Sequence, residues 1–224
     1  MRTLAAGMLL TAALPAFADG KALIHTGDAQ ESLPMVVHWN DEHVRMDFPT
    51  QEHGYLLLRG DDGFMIARQG EQLMIIEMDR LKNMTDAMGD EAESMSESQA
   101  ESVQSLEATG ETETIAGIEG DLYRVAWTDL TGNTHDNEIV LSDDPLAKDM
   151  LRAFQRYVIT VMDEGDPIGD AVIQRDLGML RFDDKFYVEE LSGESPSPDL
   201  FELPDDAMTM EQLFQQHSSG TDSQ

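Results

Sequence analysis

The side chains that could carry chemistry in this 224-residue chain are six histidines, fifteen methionines, scattered serines and an excess of carboxylates; there is no cysteine. Thiolate nucleophiles, thiolate metal sites and iron–sulfur clusters are thereby excluded. Ser142, Ser192 and Ser195 stand beside Asp, Gly or Pro in turn-like sequence, and no Gly-x-Ser-x-Gly is present. A phosphate loop, a dinucleotide fingerprint and a His-Glu-x-x-His pair are also missing. Asp and Glu are so common that no pair of them stands out as an acid and its base. The sequence therefore carries no catalytic constellation, and neither an enzyme nor a cofactor is expected.

Two non-catalytic chemistries remain open. His38 and His43 flank the Trp39–Glu42 turn and could approach each other across a hairpin, where Asp41, Glu42 and nearby methionines would complete a zinc or copper site. Solvent-facing histidines at strand ends would look the same. Methionine is spread over the whole chain, at Met65, Met74, Met78, Met84, Met88, Met95, Met150, Met162, Met179, Met208 and Met210 among others. Unbranched thioethers fill irregular apolar space and adapt to varied ligands, so these residues read either as a soft core or as the wall of a cavity for flexible acyl chains.

The elements that must position these groups are mainly β. From Leu33 to Met78, short apolar runs alternate with polar residues and end in turn clusters at Asn40-Asp41, Gly60–Gly63 and Gln69–Glu71. That is the pattern of an antiparallel meander with one buried and one solvated face, and Val44, Met46 and Phe48 fall on one side with Arg45 and Asp47 on the other. An earlier strand is expected over Ala22–His25. Later ones are expected over Thr114–Gly117, Leu122–Trp127, Asn137–Leu141, Ala171–Arg175, Leu177–Phe182 and Lys185–Leu191. Tyr123, Val125 and Trp127 share a face of their strand.

Two helices are expected as covers. Asp144 caps and Pro145 starts a helix that runs to about Met162 with Met150 and Phe154 on its apolar stripe. The second is marginal. Met88, Ala92, Met95, Gln99, Val103 and Leu106 recur at steps of three and four, within an acidic stretch that has no basic residue between Lys82 and Arg124. It reads as a weak amphipathic helix or flap over 83–113, with disorder as the alternative.

The N-terminus reads as a secretory signal peptide over 1–18: Arg2, an apolar run from Leu4 to Leu14, and Ala16-Phe17-Ala18 before the cut. The run is shorter than the roughly 20 residues of a membrane span. A periplasmic or secreted protein starting at Asp19 is expected, with one domain over 19–216, a disordered polar tail over 217–224, no membrane span and a monomeric state. The formal charge of the sequence is −31, which opposes binding to nucleic acid or anionic membranes.

Four stretches carry a resemblance: HVRMDF at His43–Phe48, TIAGIEGDLYRVAW at Thr114–Trp127, IVLSDDP at Ile139–Pro145, and GMLRF followed by FYVEELSGESPSPDLFELP within Gly178–Pro204. They resemble an uncharacterised family of secreted bacterial proteins that looks related to the LolA/LolB lipoprotein-localisation fold. The resemblance implies an incomplete antiparallel β-barrel, a half-barrel of about 11 strands, with a helical lid over a concave apolar side that takes acyl chains in the lipoprotein carriers. Arg45 lies in a strand comparable to one from which the carriers use an arginine to hold the lid.

The combined expectation is a binding or carrier module for a hydrophobic ligand such as a lipid, an acyl chain or an acylated peptide. Its cavity would be lined by Val44, Met46, Phe48, Tyr123, Val125, Trp127, Met150 and Phe154, with Met88, Met95, Val103 and Leu106 on a movable lid. The alternatives are a protein-interaction or envelope stress-sensing module that uses the acidic segment, and metal binding through His38 and His43.

Overall fold

A computed structural model describes residues 19–27, 32–49, 54–70, 72–80, 99–209 and 212. The segment 1–18 expected to be a signal peptide, the tail 217–224 and the first part of the acidic stretch, 83–98, lie outside them.

The described chain is mainly β. Strands β1 (Gly20–Thr26), β2 (Leu33–Trp39), β3 (His43–Asp47), β4 (Gly54–Arg59), β5 (Asp62–Gln69) and β6 (Gln72–Glu77) form the expected meander. β7 (Ala100–Ile115), β8 (Ile118–Asp129) and β9 (Thr134–Ser142) form a second one. Helix α1 (Pro145–Met162) and the short helix α2 (Pro167–Ile173) follow, then β10 (Gly178–Phe182), β11 (Phe186–Ser192), a 3₁₀ turn (Pro198–Phe201) and β12 (Met208–Thr209). All twelve strands belong to one sheet in the order β12-β6-β5-β4-β3-β2-β1-β11-β10-β9-β8-β7. The pairing of β1 with β11 joins the two meanders, and every neighbour is antiparallel except β12 beside β6. The sheet does not close into a barrel, since β12 and β7 end the order without meeting.

Helix α1 starts where the sequence places it. The Asp144 carboxylate accepts from the amides of Leu146 and Ala147 at 2.9 and 3.3 Å, and Pro145 occupies a first-turn position whose missing N–H costs nothing. The helix packs close to the sheet. A Cβ added to Gly178 at the start of β10 would lie 2.2 Å from the backbone of Ala147, and one added to Gly63 in β5 would lie 2.8 Å from Thr160 and Met78. Between these ends, Arg156 donates to the carbonyls of Asp41 and Glu42 in the β2–β3 turn. The helix thus crosses the strands rather than following one of them.

Three apolar clusters hold these layers. The largest joins β1–β4 and β9–β11 to Ala147, Met150 and Ala153 of α1. The second joins β7–β10 to Leu151 of α1 and to Ile168 and Val172 of α2. Ile139 and Leu141 belong to the second and Val140 to the first, so β9 is buried on both faces. The third forms on the remaining side of β4 and β5, where Phe201 and Leu203 cover Leu57 and Ile66.

Several expectations are corrected here. The segment Ala171–Arg175 is helical through Ile173, because Asp166-Pro167 repeats the start signal of Asp144-Pro145 and the Asp166 side chain caps the Gly169 amide at 2.7 Å. Gln99 to Leu106 is not helical. Bulges between Ala100 and Ser102 and between Val103 and Ser105 insert extra residues into β7, so Ala100, Val103 and Leu106 pair with Asp129, Trp127 and Val125 and share their face. A bulged strand thereby acquires the spacing of three that the sequence presents as helical. The outer face of the first meander is also not uniformly wet. The Arg45 guanidinium donates to the Leu200 carbonyl at 3.0 Å, pairs with Asp47 at 2.7 Å and lies 3.6 Å over the Tyr55 ring. It holds the C-terminal segment, and neither helix.

Candidate functional site

An apolar cavity of about 270 Å³ lies between the sheet and the two helices. Ile24 and Val37 form its wall from β1 and β2, Trp127 from β8, and Met179 and Phe182 from β10; Met150, Leu151 and Phe154 come from α1 and Ile168 from α2. Local periodicity decides which side chains of each element face inward. On α1, Met150, Leu151 and Phe154 stand at the i, i+1 and i+4 positions of one inward stripe. On β1, Ile24 faces in because the strand alternates buried with less buried residues.

Polar groups in the wall are few: Thr26, Gln155, Asp166 and Lys185. Gln155 is buried and fully engaged, its amide donating to the Asp166 carbonyl at 2.9 Å and to the Asp170 carboxylate at 2.7 Å while its Oε1 accepts from the Asp166 amide at 3.2 Å. This bridge ties the α1–α2 connection to the body of α1. Burial raises the Asp166 carboxyl above its ordinary value of 3.8, against the amides of Gly169 and Ile168, which favour its charge; the neighbouring Asp170 charge adds to the rise.

Three of the eight residues expected to line a cavity, Trp127, Met150 and Phe154, do line this one. Val125 is fully buried and Tyr123 partly buried in the same cluster as Trp127, beside the cavity and not in its wall. Val44 and Met46 are buried in the cluster that contains Met150, with Phe48 packed against it, and they too lie outside the wall. Of the four lid positions, Val103 and Leu106 belong to β7, while Met88 and Met95 lie outside the described residues. Met179, one of the methionines read as core or cavity wall, lies in the wall, whereas sequence reasoning did not single out Ile24, Val37, Ile168, Phe182, Phe186 or Lys185. The Asp-Pro signal before Ile168 would have revealed α2.

His38 and His43 are not paired directly across the β2–β3 hairpin. His38 lies opposite Lys21 on β1 and Arg45 on β3, and His43 lies opposite Arg59 on β4. Burial lowers the His38 pKa; Lys21 and Arg45 reinforce this, and Asp47 opposes it. Two flanking cations make the position unfavourable for a metal ion as well. His43 is engaged with the Asn40 side chain at 3.1 Å and stacks on Phe201. Among the described residues no group of three or more His, Asp or Glu side chains is arranged to hold a metal ion.

A second polar constellation sits at the β8–β9 turn. Asp129, with none of its surface exposed, accepts from the Thr131 hydroxyl at 2.7 Å and from the Thr131 and Asn133 amides at 2.9 Å, and its Oδ2 lies 2.8 Å from His135 Nε2. His135 stacks on Trp127, whose indole N–H donates to Asn137 at 2.7 Å. All acceptor positions of Asp129 are used within its own turn, so this is a device for closing the hairpin beneath Trp127.

No helix among the described residues is long and apolar enough to cross a membrane. Comparison with protein-family descriptions and with curated proteins finds no match to this chain.

Proposed function

We propose that the protein is a periplasmic or secreted carrier or binding module for a hydrophobic ligand, built as a half-barrel whose concave side is lidded by α1 and α2. The observation that carries this reading is the cavity of about 270 Å³ between sheet and helices, with ten apolar side chains in its wall. Preformed apolar cavities with few polar groups are the usual form of a small-molecule site. For comparison, an apolar cavity of about 150 Å³ in a protein core holds benzene.

The path of α1 supports the half-barrel. Ala147, packed on β10, and Thr160, packed on β5, are about 20 Å apart along a helix rising 1.5 Å per residue. Six strand spacings of about 4.8 Å separate β10 from β5, or roughly 29 Å if the sheet were flat. A sheet curved toward the helix accommodates the difference. Burial of ligand surface contributes about 25 cal/mol per Å², so useful affinity needs few directional contacts.

Native mass spectrometry of protein secreted by its host, followed by solvent extraction, tests the reading. A co-purifying amphiphile, and uptake of a fluorescent fatty acid that Met150→Trp abolishes by filling the cavity, are the expected results. Repeated isolation without any bound lipid, together with failure to take up the fluorescent fatty acid, would sink it.

A further inference from the structure

We propose that the cavity accepts one unbranched fatty acid of medium length, tail inward, with its carboxylate held at the rim by Lys185 and Thr26. The inference rests on the carrier reading and specifies its ligand. Of the polar groups in the wall, Gln155 and Asp166 are bound to each other and to α2. Lys185 and Thr26 have side chains that make no hydrogen bond or ion pair among the described residues, and Lys185 is the exposed member of the lining. The two belong together at the rim. Thr26 pairs with Phe186, the residue after Lys185, and the Gly27 amide donates to the Lys185 carbonyl at 3.0 Å.

The backbone of Lys185 is held on both sides. Its amide donates to the Phe182 carbonyl at 3.0 Å, closing the β10–β11 turn in which Asp183 adopts a φ of 45°. The nearest carboxylate along the chain that is not exposed, Asp183, accepts from the Glu138 amide at 2.8 Å and from the Asn137 side chain, which turns it toward β9. An ammonium and a hydroxyl without partners among the described residues, beside Phe182 and Phe186, suit an anionic head group above an apolar tail.

The acid at Asp166 and the charge of −31 over the chain restrict the head further. A single lysine neutralises one negative charge, so a monoanionic carboxylate is matched and a dianionic phosphate is not. Volume restricts the tail. At about 270 Å³ the cavity is nearly twice one that holds the six carbons of benzene, which leaves room for roughly ten to twelve carbons in one chain. Diacyl lipids and triacylated lipoproteins exceed it.

Calorimetric titration of the whole protein with saturated fatty acids of six to sixteen carbons, each below its micelle concentration, tests the assignment. Affinity should tighten roughly fourfold per methylene up to about ten to twelve carbons and then level off. Dodecanoate should bind about tenfold more tightly than dodecanol, and Lys185→Met, which keeps the apolar stem, should erase that difference without weakening dodecanol. Lys185→Glu should transfer the preference to dodecyltrimethylammonium. A brominated fatty acid should quench Trp127 fluorescence in wild type and in Trp39→Phe. If dodecanol and dodecanoate bind equally and Lys185→Met changes neither, the anionic head is wrong while the carrier reading stands. If no member of the series binds, both fall.

Discussion

Two carboxylates near the candidate site show how environment decides the sign of a charge's contribution. Burial pushes Asp129 toward the neutral form, but hydrogen bonds from His135, Thr131 and Asn133 outweigh it, so its carboxyl lies well below the ordinary 3.8. For Asp166 the balance is reversed, and burial raises it. Linkage then gives opposite pH dependences. The depressed Asp129 contributes stability that is present above pH 3.8 and is lost as the pH falls toward its folded value. The raised Asp166 contributes stability that is present below pH 3.8 and is lost as the pH rises through its folded value. Asp129→Asn should therefore destabilise the protein at pH 7 and lose that penalty progressively below about pH 4. Asp166→Asn keeps a good cap and should be at least as stable as wild type at pH 7, its advantage vanishing toward pH 3. Urea midpoints at pH 3, 4, 5 and 7 decide both; parallel curves for the three proteins would refute the assignment of these charges.

At the scale of elements, the first meander, α1 and β8–β11 were legible because each obeys one local rule: alternation, capping, or a turn cluster. Two elements were misread for reasons that residues make plain. β7 carries two bulges, so its inward residues fall three apart and mimic a helix, and only its pairing with Trp127 and Val125 reveals the strand. α2 is seven residues long, too short for periodicity to show, and its Asp-Pro start doubles as the stop of α1. The cavity was half legible. Trp127, Met150 and Phe154 sit on apolar stripes, whereas Ile24 and Val37 become wall residues only because β1 pairs with β11, a contact across more than 160 residues of sequence that no local pattern encodes. The junction of α1 with β10 gives the test at this scale. Gly178→Ala would drive a methyl into the backbone of Ala147, which cannot rotate away as a side chain would. A loss of about 1–3 kcal/mol is expected, read as a lower urea midpoint at unchanged slope. An unchanged midpoint would mean that α1 is free to lift, as a loosely held lid would be.

Over the whole molecule, the sheet's two ends face the same problem with different means. β12 is two residues long, while β7 is a sixteen-residue edge that presents Glu101, Glu107, Glu111 and Glu113. Charge on an open edge discourages pairing with another copy. It also adds to a formal charge of −31 that repels itself within the compact state. Screening should relieve the strain, since the Debye length falls from about 10 Å at 0.1 M salt to about 3 Å at 1 M. The melting temperature should thus rise between about 0.05 and 1 M sodium chloride, with most of the gain at the lower concentrations where screening sets in. Replacing Glu101, Glu107 and Glu111 together by glutamine separates the two roles of the edge. At low salt the variant should melt higher than wild type, because repulsion is reduced, and its advantage should shrink as salt is added. On prolonged incubation it should form larger assemblies at protein concentrations where wild type stays monodisperse by light scattering. A variant that melts no higher and stays monodisperse would show that the acids of β7 serve neither purpose.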